Sequence, residues 1–178
     1  MKGLPLIRVS TLSGFVSFLD QIGSPTDKLL QECHITRDQI ADLHAMAPEA
    51  QLWQFIEQSA RLEGIQDLGK RTAERDDIVD QGLFGSLVLQ PVTLRECLDG
   101  FVQFFVKHHS DGRGRFWWTQ QDGEVFFVCN NPPYRYWVPG STHAFNYSMV
   151  FMLKVFRSFL ETHTSVFSWA LRKSLGKL

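Results

Sequence analysis

A change of hydrophobic period near Arg115 limits this chain's fold more than any other feature. Upstream, apolar residues recur every three or four positions, the spacing of one helix face. From residue 114 the chain reads GRFWWTQQDGEVFFVC, two aromatic runs on either side of Asp122-Gly123. Asp-Gly between β-prone residues predicts a hairpin, with strands over about 115–119 and 124–129. Both strands are apolar on both faces, which implies burial on two sides or one side facing a cavity. A proline-rich segment follows, NNPPYRYWVPG, and helical spacing then returns over about 142–163. Helices, a hairpin and a further helix predict an α+β fold. Its parts are a multi-helix N-terminal half, a small antiparallel sheet around the hairpin, and a buried late helix.

The helical half carries its own punctuation. Leu12, Phe15, Val16, Leu19 and Ile22 mark one helix face, stopped by Gly23. Ser24 is expected to cap the next helix, with Pro25 at its first position and Asp27 in its first turn. That helix carries Leu29, Leu30 and Cys33. ITRDQI is a capping box with Thr36 as the cap, Gln39 reaching back, and Ile35 stapled onto Ile40. A longer helix is expected from near Pro48, with Leu52, Phe55, Ile56, Ser59 and Leu62 on one face and Gly64 at its end. IQDLGKRTAERDD reads as a weak helix or an irregular charged segment.

FGSLVLQPVTLRECLDGFVQFF, residues 84–105, is the most organised piece. Gly82 and Gly85 break the chain, and Pro91 stops a short apolar run. Thr93 and Glu96 then form a second capping box, with Val92 placed to staple onto Cys97. Leu94, Cys97, Leu98, Phe101, Val102 and Phe105 make a continuous stripe. The signature is built around packing, and its one cysteine lies inside the stripe. In the late helix Phe145, Met149, Met152, Leu153, Phe156 and Leu160 are expected on one face. Val150, Phe151, Val155 and Phe159 lie elsewhere around it, so the helix is expected in the core or in a dimer seam.

Several function classes drop out. The chain has 178 residues and a net charge of −1. Such a length buries roughly 70% of its unfolded surface without a metal or disulfide, and such a charge gives no strong field toward nucleic acid. Three cysteines are widely spaced and read as reduced, buried thiols. No secretory leader and no run of about 18 apolar residues is evident. No HExxH, GxSxG, GxxxxGK[ST] or GxGxxG pattern occurs. His108 and His109 are adjacent and point apart on a helix, so they form a poor chelate even with Asp111 nearby. Neither a metal, a cofactor nor an enzymatic activity is therefore expected. Fifteen Phe and five Trp remain to be explained as core, interface or pocket.

The order of these elements resembles the N-terminal effector-binding domain of AraC-type transcription regulators, in its helical, arabinose-binding-like variety. The resemblance rests on Leu4-Pro5, the helix ending at Gly23, and Thr93, Leu94, Glu96 and Leu98, and it covers roughly residues 4 to 160. It implies a bacterial, cytoplasmic regulatory domain that binds a small-molecule effector, forms a homodimer and lies off the membrane. Residues 1–163 would be the effector-binding and dimerisation domain and 164–178 a short C-terminal tail. DNA would be reached only through a helix-turn-helix module absent from this chain. The ligand is expected between the hairpin and the late helix, lined by Trp117, Phe126 and Tyr136, with Arg135 or His143 as polar anchor. The alternative is a stand-alone sensor of another α+β family, holding haem or a lipid-like ligand in an aromatic cavity.

Overall fold

Both capping boxes form as the spacing requires. Thr36 Oγ1 accepts from the Gln39 amide at 3.2 Å while Gln39 Oε1 accepts from the Thr36 amide at 2.9 Å. Thr93 and Glu96 repeat the exchange at 3.2 and 3.1 Å. These boxes open two of the helices in the computed structural model, which describes residues 5–77, 93–108, 115–130 and 138–163.

In chain order the elements are β1 (Leu6–Arg8), a 3-10 turn (Val9–Leu12), α1 (Ser13–Gln21), α2 (Thr26–Glu32) and α3 (Arg37–Ala41). Then come β2 (Met46–Pro48), α4 (Glu49–Leu62), α5 (Leu68–Arg75), α6 (Leu94–His108), β3 (Arg115–Gln121), β4 (Glu124–Asn130) and α7 (Ser141–His163). The fold is α+β, with two small antiparallel sheets among the described residues. The hairpin is longer than the sequence suggests, because pairing runs to Gln121↔Glu124 and leaves a two-residue turn. Asp122 and Gly123 both take positive φ, 52° and 80°. That is the type I′ requirement, whose twist matches the strands it joins.

Two hydrophobic cores organise the helices. The first gathers Val9, Leu12, Phe15 and Leu19 with Leu30, Leu52, Phe55, Ile56 and Leu68. Ile35 belongs to it and Ile40 packs on its edge. The second holds Ala73, Cys97 and Phe101 with Phe151, Met152, Val155 and Phe159. Each large side chain buried this way contributes about 1.5–3 kcal/mol relative to exposure. Ser59 sits on the buried face of α4 because its hydroxyl donates to the Phe55 carbonyl at 2.8 Å.

The structure corrects several expectations. Ser24 does not cap α2. Pro25 occupies the cap position, so Ser24 sits one residue too early to reach the first-turn amides, and its hydroxyl is buried without a partner. Ile22 and Leu62 lie at helix ends and are exposed, where the stripes they extend run off the core. Of the two readings open for IQDLGKRTAERDD, residues 68–75 take the helical one, α5. β1 and β2 pair over three residues each, a ladder no periodicity announced. On α7 the buried face is Phe151, Met152, Val155 and Phe159, whereas Leu153 is exposed. The expectations for Gly82, Gly85, Pro91, Val92, His109, Asp111 and residues 164–178 fall outside the described residues.

Candidate functional site

The hairpin has an occupied face and an open one. Strand geometry sends neighbouring side chains to opposite faces, so Trp118 and Phe127, directly paired, share one side. Trp118 Nε1 donates to Asp99 Oδ1 of α6 at 2.8 Å, and the Arg95 guanidinium lies 5.3 Å above its ring. Phe127 stands edge-on to Phe101 of α6 and Phe156 of α7, with ring centres 5.6 and 5.5 Å apart. These contacts seat the hairpin on the second core. Trp117 and Phe126 share the other face, as diagonal neighbours in the register Trp117↔Val128 and Thr119↔Phe126. They are 41% and 44% exposed, so the core does not account for them.

His143 belongs to another neighbourhood, the first turn of α7. The chain enters that helix through Gly140, at φ 83°, packed so closely on the Trp53 carbonyl of α4 that a Cβ would collide with it. One turn later the His143 backbone lies against Gly69 of α5, again closer than a Cβ allows. His143 Nδ1 is buried without a hydrogen-bond partner, as is Trp53 Nε1. Burial holds the His143 imidazole below the usual histidine range, with Glu57 and Asp67 pulling weakly the other way. The ring is therefore neutral at pH 7 and able either to donate or to accept at Nδ1. Thr72, one turn beyond Gly69 on α5, also has a buried hydroxyl with no partner.

Of the residues singled out in the sequence, the structure brings Trp117 and Phe126 side by side and sets His143 at the α4–α5–α7 junction. Arg135 and Tyr136 lie outside the described residues, within the segment 131–137 that joins β4 to the entry of α7. Trp53 and Thr72 were missed. The signal for Trp53 was present: an aromatic one position off the buried stripe of Leu52, Phe55 and Ile56. A separate concavity of about 340 Å³ sits at the α2–α3 corner, lined by Leu30, His34, Ile35 and Arg37 among others. None of the singled-out residues lines it.

Neither cysteine of the two cores is an activated thiol. Burial pushes the Cys97 thiol up to about 11 and raises Cys33 as well, the reverse of what a nucleophile needs. Among the described residues no group of three His, Cys, Asp or Glu is placed to hold a metal ion. Among them, too, no helix is long and apolar enough to cross a membrane.

Residues 23–170 match the model of the arabinose-binding domain found at the N-terminus of AraC transcription regulators. The chain belongs to this family. The match begins and ends somewhat later than the resemblance read from the sequence, and it spans α2 to α7. It is a family of regulator ligand-binding domains, not an enzyme class. A comparison with curated proteins finds no match.

Proposed function

We propose that this AraC-type domain is a small-molecule sensor whose effector is held between the open hairpin face and the entry of α7. The observation that carries the reading is the pair Trp117 and Phe126, two large aromatics side by side that the core does not use. Ligand sites combine such apolar surface with a few placed polar groups. His143 Nδ1 and Trp53 Nε1 are buried groups that lack partners, and Arg135 and Tyr136 lie between β4 and α7 in the sequence. In this reading Trp117, Phe126 and Tyr136 supply stacking surface, and Arg135 and His143 fix orientation.

Residues 1–163 act as the effector-binding and dimerisation domain in the bacterial cytoplasm, and operator recognition belongs to a helix-turn-helix module outside residues 1–178. Specific operator binding needs a helix in the major groove and several phosphate contacts, to which a net charge of −1 is ill suited. α7 supports self-association, since Leu153 remains 39% exposed on a helix already buried along another face. Sedimentation at micromolar concentration should give a species of twice 20.5 kDa. The site is tested by calorimetry with an effector found by screening. Trp117→Ala, Phe126→Ala and His143→Ala should each weaken binding about tenfold or more. Unchanged affinity in all three would place the site elsewhere.

A further inference from the structure

Among the described residues one side chain, Tyr147 of α7, packs on both cores. Its ring centre is 5.0 Å from that of Phe15 in α1, and 5.8 Å from that of Phe151 with the planes 12° apart. Its hydroxyl donates to Asp76 Oδ2 at 2.5 Å. Burial first, and the Asp76 carboxylate second, hold the phenol well above the ordinary tyrosine range, so it stays a donor.

Asp76 directly follows α5, and its carboxylate is wedged between α7 and α1. A Cβ at Gly14 of α1 would strike Asp76 Oδ2 and stand 3.2 Å from the Tyr147 hydroxyl. Two turns further along α7, Lys154 reaches the same end of α5. Its Nζ donates to the Ala73 carbonyl at 3.0 Å, to the Glu74 carbonyl at 3.2 Å and to the Asp76 carbonyl. An ammonium has three donors, and all three are used. Carbonyls at a helix C-terminus lack intrahelical partners and form the negative end of its dipole, so the cation is well matched to them.

We propose that this latch, Tyr147 on the Asp76 carboxylate and Lys154 on the last carbonyls of α5, is the joint that couples the two cores. α5 and α7 both run through it, since α5 gives Leu68 to the first core and Ala73 to the second. The close backbone packing of His143 on Gly69 already fixes the entry of α7 against α5. Hydrogen bonds fix distance and angle, so the latch adds a second, directional registration further along α7, against the end of α5 and against α1. With it closed, α6 and the hairpin open only together with the first core. With it released, they open by themselves. The device goes beyond the effector reading, because its operation and its test need no ligand.

The test is native-state hydrogen exchange read by mass spectrometry on the whole chain, comparing peptides of α1 and α4 with peptides of α6 and β3–β4. The variants are Tyr147→Phe, which keeps the ring, and Lys154→Met, which keeps the apolar stem and alters a half-buried position the fold should tolerate. Thr36→Ala serves as a control that weakens α3 without touching the latch. Each latch variant should speed exchange in α6 and the hairpin at least tenfold while α1 and α4 keep their wild-type protection. The control should not separate the two sets. Equal loss of protection in both cores would overturn the proposal, as would unchanged protection in the Lys154→Met and Tyr147→Phe proteins.

Discussion

Gly69→Ala sets helix propensity against packing, and the structure decides which wins. Alanine is favoured over glycine inside a helix by up to about 1 kcal/mol, and Gly69 lies in the first turn of α5, where the gain is smaller. Against it stands the α5–α7 crossing. A Cβ at Gly69 would overlap the His143 carbonyl oxygen, carbonyl carbon and Cα, all of them backbone. No rotamer change relieves such a clash, so α7 must move as a unit. It cannot move freely, because Gly140 seats its entry on α4 and Lys154 ties it to the end of α5. Overpacking of this kind costs about 1–3 kcal/mol, and rigid neighbours place the site at the upper end. The net expectation is a loss of about 2 kcal/mol. A domain of this size loses about 2–4 °C of Tm per kcal/mol, so melting should fall by about 4–8 °C. Tryptophan fluorescence follows it, with Trp53 on α4 and Trp117 and Trp118 on the hairpin as reporters. Gly64→Ala is the comparison, with φ 65° and nothing within 4 Å. It should cost only the left-handed strain of about 1 kcal/mol. A Gly69→Ala protein as stable as wild type, or less affected than Gly64→Ala, would refute the reasoning.

Thr36→Ala removes the cap of α3 and should lower stability by about 1 kcal/mol, seen as a lower urea midpoint at unchanged slope. Cys97 should resist alkylation at pH 8, because its buried thiol is pushed up to about 11. Peptide mapping should find it labelled only under denaturing conditions. The same burial has a pH signature: the folded state favours the neutral thiol, so its contribution is complete below the unfolded cysteine value of about 8.5. It is lost as pH rises toward 11, and Cys97→Ala should flatten that alkaline decline.

The parts of the fold legible in sequence are those fixed by neighbours in the chain. Thr36 with Gln39, Thr93 with Glu96, and Asp122-Gly123 each complete their geometry within three residues, so composition and spacing suffice. The α4 stripe reads correctly because its helix is long and its polar face clear. What long-range packing decides was hidden. A three-residue ladder between β1 and β2 has no period to detect. α7 is apolar nearly all round, so spacing could not choose between the Phe151–Val155–Phe159 face and the one containing Leu153. Trp117 and Trp118 are identical neighbours, and only the docking on Asp99 reveals which one faces α6. The Tyr147–Asp76 bond joins residues 71 positions apart and leaves no mark on either neighbourhood. The family was legible for the opposite reason. Its signature is the order of caps, stripe, hairpin and late helix, all local features.

The central claim is that this chain responds to a small molecule and does not itself read DNA. A thermal-shift screen of the purified chain against sugars, amino acids and carboxylic acids tests it most directly, with its own upstream DNA titrated in parallel at physiological salt. A ligand of the folded state at a hundred times its Kd stabilises by about 2.7 kcal/mol, or about 5–11 °C at the sensitivity above. The account predicts a saturable rise of that order for one chemical class and no sequence-specific DNA complex. A flat response across the library together with a sequence-specific DNA shift would contradict it.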